Sequence, residues 1–210
     1  MTDTITIKPA HTQALTLAIF ALVVALLVML SNRWIGPLIT IQEHNDQLSK
    51  IQQVLPKSLY DNDPSKHEIK LTLANGQTVD YFLATKNGAP SAFIFNSIAQ
   101  GYSGAIKLMI GIKPDGVLTG VRVLAHNETP GLGDKIEADK SNWILQFAGL
   151  SLKKPPESQW LVTKDGGHFS AFTGATITPR GVVKGIRQTL EMFRQNSTVF
   201  IHHKEVANGD

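Results

Sequence analysis

EIKLTLANGQTVDYFL, the stretch from Glu68 to Leu83, alternates polar and apolar residues on both sides of Asn75-Gly76. Alternation with a period of two residues is typical of a half-buried β-strand. An Asn-Gly pair between two such runs is a strong signal for a two-residue hairpin turn. The stretch therefore predicts an antiparallel β-hairpin.

Strand signals continue after this hairpin. Ala92–Ile98 is a short apolar run, and the runs Ile106–Ile112 and Val117–Leu124 flank the turn sequence KPDG at 113–116. Proline and glycine in such a turn predict a second hairpin. A further short strand is predicted at Trp160–Thr163.

Two helices are predicted in the same region, at Asp134–Leu150 and Pro179–Arg194. Apolar residues recur at helical spacing in both segments, which indicates one buried face in each. Thr178 suits the N-cap of the second helix, and Pro179 suits its first helical position. Hairpins and helices in this order indicate an α+β domain rather than a regular βαβ repeat.

Composition excludes several classes of function. The chain has 210 residues, a formal net charge of +3 and no cysteine. Disulfides, iron–sulfur clusters, Cys-ligated zinc and thioether-linked haem are therefore excluded, so any redox chemistry must come from an organic cofactor or from other subunits. The basic residues are scattered and not interleaved with aromatic residues, which argues against nucleic-acid binding. His202 and His203 lie in a charged tail, where solvation is favoured over metal binding.

The N-terminal region is interpreted as a membrane anchor. ALTLAIFALVVALLVML, from Ala14 to Leu30, carries no charge, and extension to Trp34 allows it, at about 1.5 Å per residue, to cross a hydrocarbon core of roughly 30 Å. A cleaved signal peptide is the alternative, but residues 29–31 offer no small-x-small cleavage site. Basic residues on the two sides barely decide the orientation.

The predicted organisation has five parts. A short N-terminal tail over 1–13 precedes a transmembrane helix over 14–34, which Gly36-Pro37 ends. A connecting amphipathic helix over 35–56 follows, with Leu48, Ile51 and Leu55 at helical spacing. The main domain covers 57–196, and a polar tail covers 197–210.

The segment Thr173–Thr178, TGATIT, lies directly before the second predicted helix. Small residues between hydroxyl groups let a backbone approach a ligand closely, and the helix that follows presents unpaired N–H groups that suit a phosphate. Arg180 would add a charge-assisted contact. An ordinary helix entry with a capping threonine is the alternative, and local chemistry alone favours it.

Two other segments contain glycine and polar residues that core burial does not require. HNETPGLGDK at 126–135 predicts a shaped loop with donors and acceptors on it, and an ordinary surface turn explains it equally well. GYSG at 101–104 opens the strand of the second hairpin. Its glycines permit close backbone approach, although a simple strand-start turn is favoured when the segment is taken alone.

In combination, these segments resemble the RnfG family, also named RsxG, which is the G subunit of the Rnf electron-transport complex. They resemble more distantly the C subunit of the sodium-pumping NADH:quinone reductase. The matching stretches are GYSGAIKLMIGI from Gly101, GVRVLAHNETPGLGDKIE from Gly120, KSNWILQF from Lys140 and FTGATITPRGVV from Phe172. The string NETPGLGDKIE is specific, and it occurs in order with TGATITPR.

The resemblance implies a covalent flavoprotein. In this family the last threonine of the Ser/Thr-Gly-Ala-Thr motif carries FMN through a phosphoester bond, and that position is Thr176 here. A dedicated flavin transferase makes the bond from FAD with magnesium and releases AMP. The resemblance also implies an electron-carrying subunit without turnover of its own, in an ion-pumping complex of the bacterial inner membrane. Its partners would be the other subunits and the lipid bilayer, with the flavin domain on the periplasmic side.

Within this interpretation, the loop over 128–133 and the segment over 173–178 are expected to form opposite walls of the flavin site. Leu132 would contact the ring, while the hydroxyls of Thr129 and Thr178 and the backbone at Gly131 would bind polar edges or the phosphate. The predicted cofactor-binding residues are Glu128, Thr129, Gly131, Leu132, Thr173, Gly174, Ala175 and Thr178. No catalytic residue and no metal ligand is predicted.

Ser170 departs from the family pattern, which usually has an acidic residue at this position. The departure puts the efficiency of flavin attachment in question more than the identity of the cofactor. Two other functions stay open. A hydrolase or transferase with a threonine or serine nucleophile would need His126 or His168 as its base, and an assembly module with a decayed flavin site would carry no cofactor.

Overall fold

The computed structural model describes residues 10–66 and 68–202, with side chains described for 14–29 and from 46 onward. The chain divides into two compact units, Met1–Asn45 and Asp46–Asp210. Residues 1–9 of the predicted N-terminal tail and residues 203–210 of the predicted polar tail lie outside the described residues.

Helix α1 runs from Ala10 to Val54. It continues through Gly36-Pro37, so the predicted helix end at this pair is wrong. All side chains from Ala14 to Met29 are exposed. Among the residues that the structure describes, no helix is both long and apolar enough to cross a membrane.

A five-stranded antiparallel sheet forms the centre of the second unit, with the strands in the order in which they occur along the chain. The strands are β1 (Glu68–Thr72), β2 (Thr78–Lys86), β3 (Ala89–Gln100), β4 (Ala105–Ile112) and β5 (Leu118–Ala125). Both predicted hairpins are confirmed, as β1–β2 and β4–β5. The third run is longer than predicted, because β3 pairs with strands on both sides.

The turn of the first hairpin is longer than predicted. The Leu73 N–H donates to the Gln77 carbonyl at 2.8 Å, so Ala74 also belongs to the connection. Gly76 has φ +81°, the left-handed conformation that closes such a longer loop and that glycine adopts without steric cost.

Helix α2 (Ile177–Gln195) packs on one face of the sheet, and helix α3 (Ser197–His202) follows it. A Cβ at Gly181 would lie 1.9 Å from the Gln100 carbonyl oxygen, so the helix approaches the end of β3 more closely than a larger residue permits. This close approach places the start of α2 beside the β3–β4 turn. Phe200 of α3 is fully buried, so the domain extends beyond the predicted boundary at 196.

The opposite face of the sheet is covered by the end of α1. Ile51, Val54 and Leu55 are buried there against apolar residues of β2, β3 and β4. Gly111 and Gly120 face each other in the β4–β5 pair, and the Val54 backbone lies above both. The helical spacing predicted for this segment therefore corresponds to a buried face.

Two predicted elements are wrong. Asp134–Leu150 is not an α-helix but contains two 3₁₀-helices, Asp134–Ile136 and Asn142–Phe147. Trp160–Thr163 is not a strand: Val162 forms an isolated bridge to Phe169, and Thr163 begins a 3₁₀-helix. The remaining 3₁₀-helices are Lys57–Leu59, Pro64–Lys66, Glu157–Gln159 and Thr163–Asp165. Rings from several segments pack together in this region, so long-range aromatic contacts override local helix propensity.

Candidate functional site

An open cleft with a cavity volume of ≈ 230 Å³ lies where the segment after β5, the β3–β4 turn and the start of α2 meet. All three segments singled out in the sequence contribute to it. The lining residues are Tyr102, Glu128, Thr129, Leu132, Gly133, Gly174, Ala175, Thr176, Ile177 and Thr178.

The carboxylate of Glu128 joins the three segments. It is almost fully buried, and its Oε1 accepts the backbone N–H of Ser103 at 2.9 Å. Its Oε2 accepts a hydrogen bond from the hydroxyl of Thr178, which is itself fully buried. A buried carboxylate requires such donors, because desolvation is otherwise costly. Glu128 therefore holds the two walls and the β3–β4 turn together.

Two glycines make room for this carboxylate. A Cβ at Gly101 would lie 2.3 Å from Oε1 of Glu128, and one at Gly133 would lie 2.8 Å from Oε2. Neither distance is compatible with a side chain. The glycines of both motifs therefore permit close approach of the backbone to Glu128.

Helix α2 begins at Ile177, two residues before the predicted start, and its N-cap is Thr176 rather than Thr178. The Thr178 hydroxyl donates to Glu128 and so links the two walls. The Thr176 hydroxyl makes no capping bond to the helix. It instead accepts a hydrogen bond from Nζ of Lys164 at 2.8 Å.

Arg180 does not point at Thr176, contrary to the predicted phosphate contact. Its Nε and Nη2 donate to the two carboxylate oxygens of Asp165 at 2.6 and 2.7 Å. These hydrogen bonds hold the pKa of Asp165 below its ordinary value and raise the pKa of Arg180. The pair connects the first turn of α2 to the 3₁₀-helix that carries Lys164.

The approach to Thr176 is shaped by a tight turn. The Ala175 N–H donates to the Phe172 carbonyl at 3.2 Å, and Gly174 adopts φ +83°, which favours glycine at this position. Upstream, the indole N–H of Trp143 donates to the carbonyl of Ser170 at 2.9 Å. The Ser170 side chain remains exposed.

His126 acts on the loop rather than on Thr176. Its Nδ1 accepts the backbone N–H of Glu128 at 2.9 Å, and its Nε2 lies 2.6 Å from Oε1 of Glu137. Because Nδ1 is an acceptor, Nε2 carries the proton and donates to the carboxylate. Both ring nitrogens are thus engaged, so this geometry does not support His126 as the base of a threonine nucleophile.

Most of the predicted site residues lie together. Thr176 and six of the others line the cleft, namely Glu128, Thr129, Leu132, Gly174, Ala175 and Thr178, whereas Gly131 and Thr173 are not among the lining residues. Sequence reasoning missed Tyr102, Gly133, Ile177 and Lys164. The first three lie inside the three motifs, so the glycine and polar pattern there was a usable signal, but Lys164 lies outside every motif.

The cleft suits a flat ring that carries a phosphate. Leu132 is 44% exposed and Ile177 48% exposed, so apolar side chains are available to a ring. In the first turn of α2, Pro179 has no N–H and the Arg180 N–H donates to the Thr176 carbonyl at 3.2 Å. The N–H groups of Ile177 and Thr178 remain for a phosphate beside Thr176. The volume lies below the roughly 300 Å³ typical of the smallest ligand pockets, so a ligand of FMN size would stay partly outside.

Comparisons with known proteins point to a flavin domain. Residues 101–191 match the family model of the FMN-binding domain. The chain is 43% identical over 186 residues to the G subunit of the ion-translocating oxidoreductase complex of Stutzerimonas stutzeri, and the match covers 89% of this chain and 82% of that protein. It is 46% identical over 180 residues to the protein of the same name from Cereibacter sphaeroides, with coverages of 85% and 82%.

A solved structure is similar in fold. It is the C subunit of the Na⁺-translocating NADH-quinone reductase from Parabacteroides distasonis, at 20% sequence identity and a TM-score of 0.52. The similarity covers 77% of this chain and 97% of that one. At this identity, the likeness concerns the fold alone.

Proposed function

Because the chain belongs to the family of G subunits of ion-translocating oxidoreductase complexes, we propose that it is a flavoprotein electron carrier of such a complex. Its FMN is attached through a phosphoester bond to the hydroxyl of Thr176. The other subunits of the complex are its electron donors and acceptors. The chain itself turns over no substrate.

One observation carries this proposal: the cleft that Glu128 holds together contains the Thr176 hydroxyl at the start of α2. The hydroxyl is half-buried and is not used for helix capping, so it is available for esterification. A phosphate attached there would lie against the N–H groups and the positive dipole end of a helix. The FMN-binding family model, which matches residues 101–191, supports the choice of cofactor.

The chain's residues would hold and orient the cofactor. When bound, FMN supplies one- or two-electron transfer through its ring. Leu132 and Ile177 offer apolar contact to the ring, and the exposed Tyr102 lies at the same cleft. Because the cleft is open and small, ring area would remain exposed for electron exchange with another subunit.

The test is the intact mass of the full chain, purified in detergent from a host that also makes the flavin transferase. We expect a gain equal to one FMN minus one water, mapped to the Thr176 peptide, and flavin fluorescence in a denaturing gel. Thr176→Ala should lose both signals while Thr163→Ala, which changes an exposed threonine nearby, should keep both. Flavin that remains covalently bound in Thr176→Ala would refute the attachment site.

The Ser170 position helps to distinguish the electron-carrier function from the alternative of an assembly module without a cofactor. An unmodified wild-type chain under these conditions would favour the assembly module. Ser170 is exposed, so Ser170→Asp restores the acidic residue of the family without disturbing the core. Modification of Ser170→Asp but not of the wild type would trace the failure to this residue and not to the cleft.

We further propose that the stretch from Ala14 to Trp34 anchors the chain in the bacterial inner membrane, with the flavin domain on the periplasmic side. The side chains from Ala14 to Met29 are all exposed and, apart from Thr16, apolar, which supports a lipid environment. Fractionation of cells should recover the full chain with membranes and a variant without residues 1–34 in the soluble fraction. Protease added to spheroplasts should digest the domain, and full protection would contradict the orientation.

A further inference from the structure

Lys164 is the charged group that contacts the proposed attachment site. Its Nζ donates to Oγ1 of Thr176 at 2.8 Å across a sequence separation of 12 residues. No motif of the sequence connects the two residues, and the contact exists only because the 3₁₀-helix Thr163–Asp165 lies against the start of α2.

The backbone that carries Lys164 is held from several sides. The Thr163 N–H donates to the Phe169 carbonyl at 2.7 Å, and a Cβ at Gly167 would lie 2.0 Å from the Leu161 carbonyl oxygen. The bidentate pair of Asp165 with Arg180 ties the same turn to α2. These contacts hold the turn beside the start of α2, where Nζ of Lys164 reaches Thr176.

We propose, on the basis of the proposed function, that Lys164 is a catalytic residue for flavin attachment and then the cation that pairs with the attached phosphate. In the reaction, Oγ1 of Thr176 forms a bond to the FMN phosphorus of FAD and the phosphoanhydride bond breaks. AMP leaves, the hydroxyl proton goes to solvent, and no electrons move. The ammonium group stabilises the negative charge that develops at Oγ1 and on the phosphate oxygens.

The test measures the rate of attachment with the purified full chain, flavin transferase, FAD and Mg²⁺, followed by intact mass. Lys164→Met removes the charge and keeps an unbranched side chain of similar length, and Lys164→Arg keeps the charge and the donors. Lys153→Met is the matched control, because Lys153 is also an exposed lysine on a surface turn. Thermal unfolding of each variant checks that the fold is intact.

We expect Lys164→Met to lower kcat for attachment about tenfold, equivalent to ~1.4 kcal/mol. Lys164→Arg should stay within roughly threefold of wild type, because the charge remains, and Lys153→Met should match wild type. Added salt should reduce the difference between Lys164→Met and wild type, since the contact is exposed.

Two results would overturn the role of Lys164. One is a wild-type rate for Lys164→Met, and the other is a defect confined to the KM for the chain, which would reflect transferase docking instead. Failure of the proposed function has a different signature, in which the wild-type chain stays unmodified at Thr176 while a known acceptor protein in the same mixture is modified.

Discussion

Replacing Glu128 by alanine would remove a side chain that connects the three segments of the cleft. The Ser103 N–H and the Thr178 hydroxyl would both lose their acceptor. Glu128→Gln is the milder change, because the amide oxygen still accepts from one of the two donors. The comparison separates the loss of both acceptors from the loss of the charge together with one acceptor.

The expected magnitude follows from the burial of the two donors. Thr178 is fully buried, and a hydrogen bond to a charged group is worth about 1.5–3 kcal/mol. Ser103 is exposed, so water replaces its acceptor at little cost. We therefore expect Glu128→Ala to lower the free energy of unfolding by about 2–3 kcal/mol, and Glu128→Gln by about 1 kcal/mol.

The assay is denaturant unfolding of the detergent-solubilised chain, followed by tryptophan fluorescence. Both Trp143 and Trp160 are buried in the folded domain and report on its unfolding. The matched control is Glu191→Ala, which removes a carboxylate paired with Arg187 on the surface of α2; such a pair is worth about 0.5 kcal/mol. A cycle with Thr178→Val isolates the coupling between Glu128 and Thr178.

A change below about 0.5 kcal/mol in Glu128→Ala, similar to surface substitutions, would refute the reasoning that this carboxylate holds the cleft together. Full covalent flavin loading in a destabilised Glu128→Ala chain would refute the idea that flavin attachment depends on the Glu128 contacts. In that case the walls would not need to be held together for Thr176 to be modified.

Two further predictions concern other contacts. A Cβ on Gly120 would lie 2.9 Å from the Val54 carbonyl oxygen. Gly120→Ala should therefore lower the free energy of unfolding by about 1–3 kcal/mol through overpacking. An unchanged denaturation midpoint would contradict the close packing of α1 on the sheet. The pKa of Asp165 is lowered below its ordinary 3.8 by the hydrogen bonds from Arg180. The stabilisation by this pair is therefore present above pH 3.8 and lost as pH falls through the lowered pKa. Unfolding of wild type and Arg180→Gln between about pH 2 and 6 should show the two stabilities converging at low pH, and a constant difference would argue against the pair.

The parts of the fold that depend on local pattern were predictable. The first hairpin follows from alternation around Asn75-Gly76, and the buried face of α2 follows from its helical periodicity. Both signals arise from neighbours within a few residues. The prediction for Asp134–Leu150 is wrong because helical spacing of its apolar residues also fits successive 3₁₀ turns, and packing of rings such as Trp143 and Phe147 decides between them.

By itself, the sequence determined the hairpins, the amphipathic face of α2, the exclusion of cysteine-based redox centres, and the family through its motifs. Only the tertiary structure decided how those motifs meet. Glu128 reaches Ser103 across a separation of 25 residues and Thr178 across 50, and Lys164 reaches Thr176 from outside any motif. Periodicity and turn residues report local backbone geometry. These contacts instead depend on how α2 packs against β3, and the packing of the whole domain determines that arrangement.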